Sequence, residues 1–304
     1  MKLGLCAPAK VNLSLRVLGR RPDGYHEVRT TLLALDLCDR LEVGARPGSG
    51  RVVLAVRGAP DVPSDGTNLA ARAAAAVLLR AGADKIDLEL ALAKEIPAAA
   101  GLGGGSSDAA AAALGAARAL GAERLDLPGL VAELGSDCPF FLAAAKTGLA
   151  RCTGRGERVE PLGPPPPWSV LLVAPALSAP TAAVYAAWRS ADSAVARAEP
   201  DDWSQLPPAE ARTWLANDLE DAALRAVPGL RAWRALLDAH GLAHARLAGS
   251  GSSFFALCAD HAEASGAAQV VAAAARRAGL PVRLCRAVRA AGHGAQLLSE
   301  ISSG

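Results

Sequence analysis

The segment from Pro97 to Asp108 reads Pro-Ala-Ala-Ala-Gly-Leu-Gly-Gly-Gly-Ser-Ser-Asp and runs straight into an alanine-rich stretch that begins at Ala109. A run of glycines disfavours both helix and strand, and alanine is the best helix former, so the chain here must fold as a loop feeding a helix. Such a junction builds an anion site. Backbone N–H groups approach a ligand without Cβ obstruction, and the helix adds unpaired N–H groups and the positive end of its dipole. Phosphate is the natural ligand. A Walker loop would end in Gly-Lys-Ser/Thr, but Gly105 is followed by Ser106 and Ser107. A dinucleotide fingerprint starting at Gly101 needs glycine at position 106 and meets Ser106. Both familiar phosphate loops are therefore excluded.

At 304 residues, 51% of them hydrophobic, the chain is long enough for two domains or one large one. Aromatic residues make up only 4%, while alanine is abundant, which predicts small-residue packing and a predominance of helix. The net charge of +2 and the lack of a dense lysine or arginine cluster argue against nucleic acid, so the expected partner is a small molecule. Six cysteines are spread along the chain without a Cys-x-x-Cys pair, which suggests neither a zinc knuckle nor a disulfide framework and points to buried thiols in a reducing compartment. No stretch approaches about 18 consecutive apolar residues, and the N-terminal segment has no long apolar core. A soluble cytoplasmic protein with no membrane partner is expected.

Alternation of Val11, Leu13, Leu15 and Val17 predicts a half-buried strand whose other face carries Lys10, Asn12 and Ser14. Further strands are expected at Val28–Leu37, Leu41–Val43, Val52–Val56 and Ile86–Leu92. Helices are expected from Thr67 to Ala81, capped by Thr67 or Asn68, and from about Ser107 to Leu120. A short helix is expected at Leu130–Leu134, ahead of Gly135-Ser136-Asp137-Cys138-Pro139, where Pro139 fixes the backbone. The stiff run Gly163-Pro164-Pro165-Pro166-Pro167 marks a boundary, dividing the chain into residues 1–163 and 164–304. Beyond it a strand at Trp168–Val173, helices at Thr181–Ala191, Glu210–Leu215, Leu219–Ala226 and Leu230–His240, and a strand-and-turn unit at Ala245–Leu257 are expected. His240 and His244 have metal-chelating spacing, but Gly241 interrupts them and no third ligand follows, so they read as helix-end residues.

Three blocks occur in order: Ala7-Pro8-Ala9-Lys10-Val11-Asn12-Leu13 with Asp23-Gly24-Tyr25-His26-Glu27, the loop from Ile96 to Asp108, and Leu247-Ala248-Gly249-Ser250-Gly251-Ser252-Ser253. Their order and spacing resemble the kinase superfamily of galactokinase, homoserine kinase, mevalonate kinase and phosphomevalonate kinase. Within it the Asp-Gly-Tyr-His-Glu segment, the Gly-Leu-Gly-Gly-Gly-Ser-Ser-Asp loop and Ser136-Asp137-Cys138-Pro139-Phe140-Phe141 resemble the 4-diphosphocytidyl-2-C-methyl-D-erythritol kinase family. The likeness is dense up to Phe141 and resumes at Pro180–Tyr185 and Asn217–Glu220.

The resemblance implies an α+β fold with an N-terminal ATP-binding and catalytic domain, a ferredoxin-like C-terminal substrate-pocket domain, and a site in the cleft between them. It implies ATP-dependent phosphorylation of the 2-hydroxyl of a cytidine diphosphate-linked methylerythritol in the non-mevalonate isoprenoid route, with Mg²⁺ accompanying ATP. Asp137 is then the base, and Lys10 the cation that stabilises charge on the transferring phosphoryl or attacking oxygen. Pro97, Ala98, Ala99, Ala100, Gly101, Leu102, Gly103, Gly104, Gly105, Ser106 and Ser107 would surround the triphosphate, with Lys94 and Asn68 towards adenosine. Ser107 is a candidate metal ligand, and the remaining ligands stay open. Tyr25, His26 and Tyr185 would hold the pyrimidine, Tyr185 and Thr181 lying in the Thr-x-x-Val-Tyr segment. Asn12 could orient the diphosphate or the hydroxyl, and Gly249 and Ser250 either line the acceptor pocket or brace the first loop. Two rival readings remain: a kinase of the same superfamily acting on another small alcohol, and a nucleotide-binding regulator without turnover.

Overall fold

The computed structural model describes residues 2–193, 199–200 and 202–301. In chain order its elements are strands β1 (Lys2–Arg20), β2 (His26–Pro47) and β3 (Val52–Arg57), helix α1 (Leu69–Arg80), strand β4 (Ile86–Ala93), helices α2 (Gly104–Leu120), α3 (Leu127–Ala132) and α4 (Cys138–Ala143), and strands β5 (Leu149–Gly154), β6 (Arg158–Pro161) and β7 (Ser169–Pro175). There follow α5 (Thr181–Ala187), α6 (Pro208–Trp214), β8 (Ala216–Asn217), α7 (Glu220–Ala226), α8 (Leu230–Ala239), β9 (Arg246–Leu247), β10 (Phe254–Cys258), α9 (His261–Arg277), β11 (Val282–Arg289) and β12 (Gln296–Ile301). The expected predominance of helix does not hold. The two longest described elements are β2 and β1, of 22 and 19 residues, because alanine stretches confined to α1, α2 and α9 leave Val- and Leu-rich segments to pair as strands.

The first sheet runs β12-β1-β2-β4-β3, with β5 and β6 continuing from β2 and β8 joined to β1. Helices α1 and α2 cover its outer face around Leu3, Leu5, Ala34 and Val43. The second sheet has the order β11-β7-β10-β9 with all pairs antiparallel, which is the 4-1-3-2 order of a ferredoxin-like βαββαβ unit. A separate core of Val11, Leu13, Leu33, Trp168, Val170 and Phe255 fills the space between the two sheets, which is why β1 is buried on both faces. The proline run at 164–167 does pass from the first sheet to the second. Sheet membership crosses it, however, since β8 and β12 both pair with β1.

Two irregularities in the β1–β2 ladder decide where the polar residues of β1 point. Register breaks between Pro8 and Ala9, where β2 carries extra residues, so Leu3, Leu5 and Ala7 face the helices while Ala9, Val11 and Leu13 face the second sheet. The even-numbered Lys10 and Asn12 are thereby turned onto the helix side, opposite Ala34 and Leu32. A second break between Asn12 and Ser14 reverses the alternation again, so Leu15 rather than Ser14 faces the cavity described below. Simple alternation groups Ser14 with Lys10 and Asn12. Instead, its hydroxyl accepts from the Thr31 N–H inside the sheet.

Candidate active site

The glycine loop adopts the shape its sequence demands. Gly101 and Gly103 lie at φ 79° and 70°, and even Ala99 is at 52°. A Cβ on Gly101 would stand 2.1 Å from the carbonyl oxygen of Ala248, and one on Gly103 would stand 2.8 Å from Cγ of Lys10. The loop is therefore clamped between β1 and the turn that follows β9: the Lys10 N–H donates to Leu102 O and the Ser253 N–H to Ala100 O. Gly101→Ala should strain the backbone by about 1–3 kcal/mol before the clash is counted. The expected result is a lower melting temperature and loss of the thermal shift given by ATP, measured by calorimetry with and without nucleotide. Helix α2 starts at Gly104, three residues before the expected Ser107, with no side-chain cap and no acidic residue in its first turn. An uncapped helix start of this kind can take an external anion.

Lys10 is nearly buried, and its ammonium lies 3.2 Å from Oδ2 of Asp137 and donates to Oδ1 of Asn12 at 2.9 Å. Asn12 in turn donates to Thr30 Oγ1, which donates to Ser14 O. This chain fixes the amide orientation and hence the lysine. Asp137 occupies the N-cap position of α4 but has helical backbone angles and makes no capping hydrogen bond. Its carboxylate, one-third exposed, is free to face Lys10 and the solvent side of a cavity of about 1000 Å³.

That cavity lies where the two sheets meet the glycine loop. Its walls include Lys10, Asn12, Asp137, Gly101, Gly103 and Ser106 together with Gly249, whose Cβ position is 3.3 Å from the Lys10 ammonium, and also Tyr25, His26, Thr181, Tyr185 and Ser250. The His26 ring sits 4.9 Å from that of Tyr185 and 5.5 Å, edge-on, from that of Trp188. Burial, and then the charge of Arg20, hold His26 below its ordinary pKa, while burial pushes the Tyr185 phenol above its own, with Asp137 adding to the effect. At neutral pH both rings are uncharged. Tyr25 is 55% exposed, with the Arg155 guanidinium 4.8 Å from its ring centroid. Thr181 and Ser250 share a hydrogen bond of 3.0 Å, and Asn217 donates to the carbonyls of Leu247 and Gly249, so the second glycine turn is held from both sides. Gly249 and Ser250 line the cavity while Ser253 braces the first loop, so this turn takes part in both arrangements that the sequence left open.

Other expected residues stand elsewhere. Ala100 and Leu102 are core residues between the sheets, so only their backbone faces the loop side. Pro97, Ala98, Ala99, Gly104, Gly105 and Ser107 flank the cavity without lining it. Asn68 caps α1, accepting from Ala70 N–H and donating to Pro63 O, which commits both ends of its amide. Lys94 is buried, bonded to Asp39 and, at 2.6 Å, to Asp108, beneath the start of α2. Burial pulls its ammonium pKa down, but Asp108 and Asp39 together outweigh that and leave it raised. Neither side chain reaches the cavity. His240 caps the end of α8 and bonds to the Leu236 carbonyl, whereas His244 lies beyond the helix, in the loop before β9, and bonds to the carbonyl of Leu257 on β10. The sequence reading missed Arg20, Arg155 and Trp188. The helix expected to run to Ala191 ends at Ala187, and the extended Trp188 swings its ring to His26.

The GHMP kinases N terminal domain family matches residues 68–144, and the GHMP kinases C terminal family matches residues 198–277. A 4-diphosphocytidyl-2-C-methyl-D-erythritol kinase of Anaeromyxobacter dehalogenans is 42% identical over 301 residues, covering 95% of this chain and 92% of that protein. One from Pelotomaculum thermopropionicum is 42% identical over 266 residues, covering 86% of this chain and 90% of that protein. A crystal structure of 4-(cytidine 5'-diphospho)-2C-methyl-D-erythritol kinase superposes with a TM-score of 0.75 at 37% identity, over 96% of this chain and all of the other. A homoserine kinase from Cytophaga hutchinsonii has a TM-score of 0.73 at 16% identity over 98% and 97% of the two chains, a likeness of fold alone. Full-length identity of this order, with both kinase domains matched around a cavity lined by the glycine loop, places the chain in the 4-diphosphocytidyl-2-C-methyl-D-erythritol kinase family of ATP-dependent GHMP kinases.

Proposed function

We propose that the protein transfers the γ-phosphoryl group of ATP to the 2-hydroxyl of 4-diphosphocytidyl-2-C-methyl-D-erythritol, a step of the non-mevalonate route to isoprenoid precursors. The observation that carries the reading is the Lys10–Asp137 contact at the junction between the glycine loop and the aromatic end of the cavity. The acceptor oxygen attacks the γ-phosphorus, the bond to the β-phosphate oxygen breaks, ADP leaves, and Asp137 takes the hydroxyl proton. Lys10, held by Asn12, stabilises negative charge on the attacking oxygen and the transferring group. The loop backbone from Gly101 to Ser107 and the open start of α2 cradle the phosphates. Residues 1–163 thus supply nucleotide loop, base and lysine, while residues 164–304 close the acceptor pocket through Thr181, Tyr185, Gly249 and Ser250. Six free thiols fit a reducing, cytoplasmic setting.

Mg²⁺ would arrive with ATP and neutralise phosphate charge. Among the described residues no group of three or more His, Cys, Asp or Glu side chains could cage a metal, so phosphate and water oxygens would supply most of its ligands. The buried Ser107 hydroxyl, which has no hydrogen-bond partner, is the protein atom suited to join them.

The test is incubation with ATP, Mg²⁺ and the cytidylated substrate, with mevalonate and homoserine in parallel and products identified by mass spectrometry. Selective phosphorylation of the cytidylated compound is expected, whereas phosphorylation of only another alcohol would overturn the assignment. The pyrimidine site has its own prediction. Tyr25→Ala should raise KM for the acceptor by about 10-fold while leaving KM for ATP unchanged, because stacking on a base contributes about 1–3 kcal/mol. An unchanged acceptor KM would remove Tyr25 from the site.

A further inference from the structure

We propose that Arg155 binds the diphosphate of the acceptor, acting as a specificity-determining residue between the pyrimidine site and the base. The inference rests on the acceptor named above. An acceptor whose pyrimidine lies at Tyr25, His26 and Tyr185 and whose hydroxyl lies at Asp137 must carry two phosphate charges across the space between them. Among the described residues, cations lining that space are few. Lys10 is committed to Asp137 and Asn12, and His26 is held neutral, which leaves Arg20 and Arg155 on the wall.

Arg155 has the geometry to span the gap. It sits in the β5–β6 turn, where Gly154 at φ 77° and a bond from the Arg155 N–H to Glu157 Oε2 fix the backbone. The next residue, Gly156, packs against the catalytic segment: its Cβ position is 3.6 Å from Cβ of Ser136 and 3.8 Å from Oδ1 of Asp137. From a main chain beside the base, the side chain reaches out to lay its guanidinium over the Tyr25 ring. No carboxylate pairs with that guanidinium among the described residues. Asp23 feels its charge but is bonded to Arg21, as is Glu27. A half-buried, unpaired guanidinium on an aromatic face keeps its planar fork for a bidentate anion, and stacking on Tyr25 lowers the cost of ordering it.

The experiment measures binding of CDP and of cytidine, together with steady-state kinetics, on wild type, Arg155→Ala and Arg155→Lys, with melting temperature as the folding control. Wild type should prefer CDP to cytidine. Arg155→Ala should lose about 10- to 100-fold in CDP affinity, keep its cytidine affinity, and raise acceptor KM by the same factor with kcat and KM for ATP nearly unchanged. Arg155→Lys should recover part of the loss, since charge is retained without the fork. Equal CDP and cytidine affinities in wild type, or an Arg155→Ala protein whose CDP affinity is unchanged or improved, would overturn the proposal while leaving the reaction assignment intact if wild type still phosphorylates the acceptor. Failure of wild type to phosphorylate the acceptor would overturn the reaction assignment first, and this inference with it.

Discussion

Asp137→Asn should lower kcat by about 10²- to 10⁴-fold while KM for ATP and for the acceptor stay within a few-fold of wild type. The substitution is close to isosteric. The amide oxygen can still accept from Lys10, and the residue makes no capping bond that α4 would miss, so the fold should be retained. On the proposed mechanism, what is lost is the proton acceptor and one negative charge beside the attacking hydroxyl. Both matter only as the reaction proceeds, which is why the deficit belongs in kcat. Lys10→Met is expected to behave differently: it removes charge stabilisation and also leaves Asn12 Oδ1 without its donor in a buried chain, so stability should fall along with turnover. A folded Asp137→Asn protein with near-normal kcat would remove the base assignment and leave positioning by the loop and Lys10 as the main source of rate.

Lys94→Met is expected to have the largest effect on stability, about 3–5 kcal/mol or a melting temperature lower by roughly 10 °C. The ammonium joins two carboxylates from different parts of the fold: Asp39 on β2, which also accepts from the Glu95 and Ile96 N–H groups, and Asp108 in the second turn of α2. Without it, two buried carboxylates would face each other under the glycine loop with no cation. Acid should relieve that deficit as the carboxylates take up protons. The wild-type protein carries a related signature. Burial raises the Asp108 carboxyl from 3.8 to about 7, a rise that Lys94 offsets in part and Asp39 reinforces. A folded-state pKa above the unfolded value means that the native protein holds a proton the unfolded chain releases. The stability from this group is therefore full below about pH 4, declines as pH rises towards 7, and is flat above. Asp108→Asn should flatten the profile between pH 4 and 7, measured as urea midpoints. An unchanged profile would show that another pair of groups governs that range.

Much of the candidate site could be read along the chain because its chemistry is local. The glycine loop, its immediate helix and the turn at Gly249–Ser253 depend on backbone conformations that only certain residues accept, and the structure places Gly101, Gly103, Gly249 and Gly251 at positive φ. Lys10 and Asn12 share a face because they are two apart on one strand. Residues whose role depends on distant partners could not be read the same way. Asn68 and Lys94 carry polar groups that suit a nucleotide, yet one caps a helix and the other is claimed by two carboxylates separated from it by 55 and 14 positions. Arg155 lies in a turn and Trp188 just past the end of α5, and the residue pattern there carries no signal of what they will touch.

The sequence by itself determined that a glycine loop precedes a helix, that the early chain pairs as strands and that small residues pack the buried faces of α1 and α2, although Trp168, Trp203, Trp233 and all four phenylalanines are buried as well. These follow from φ/ψ permissiveness, side-chain period and volume. Tertiary structure alone decided which face of β1 meets the loop, because two ladder irregularities, set by pairing with β2, reverse the alternation that a single strand would show. It also decided that β12 returns to β1 and that Thr181, Tyr185 and the turn at Gly249–Ser250 share one cavity with Lys10 and Asp137. Such outcomes arise from contacts between segments far apart in the chain, and a local pattern of residues carries no record of them.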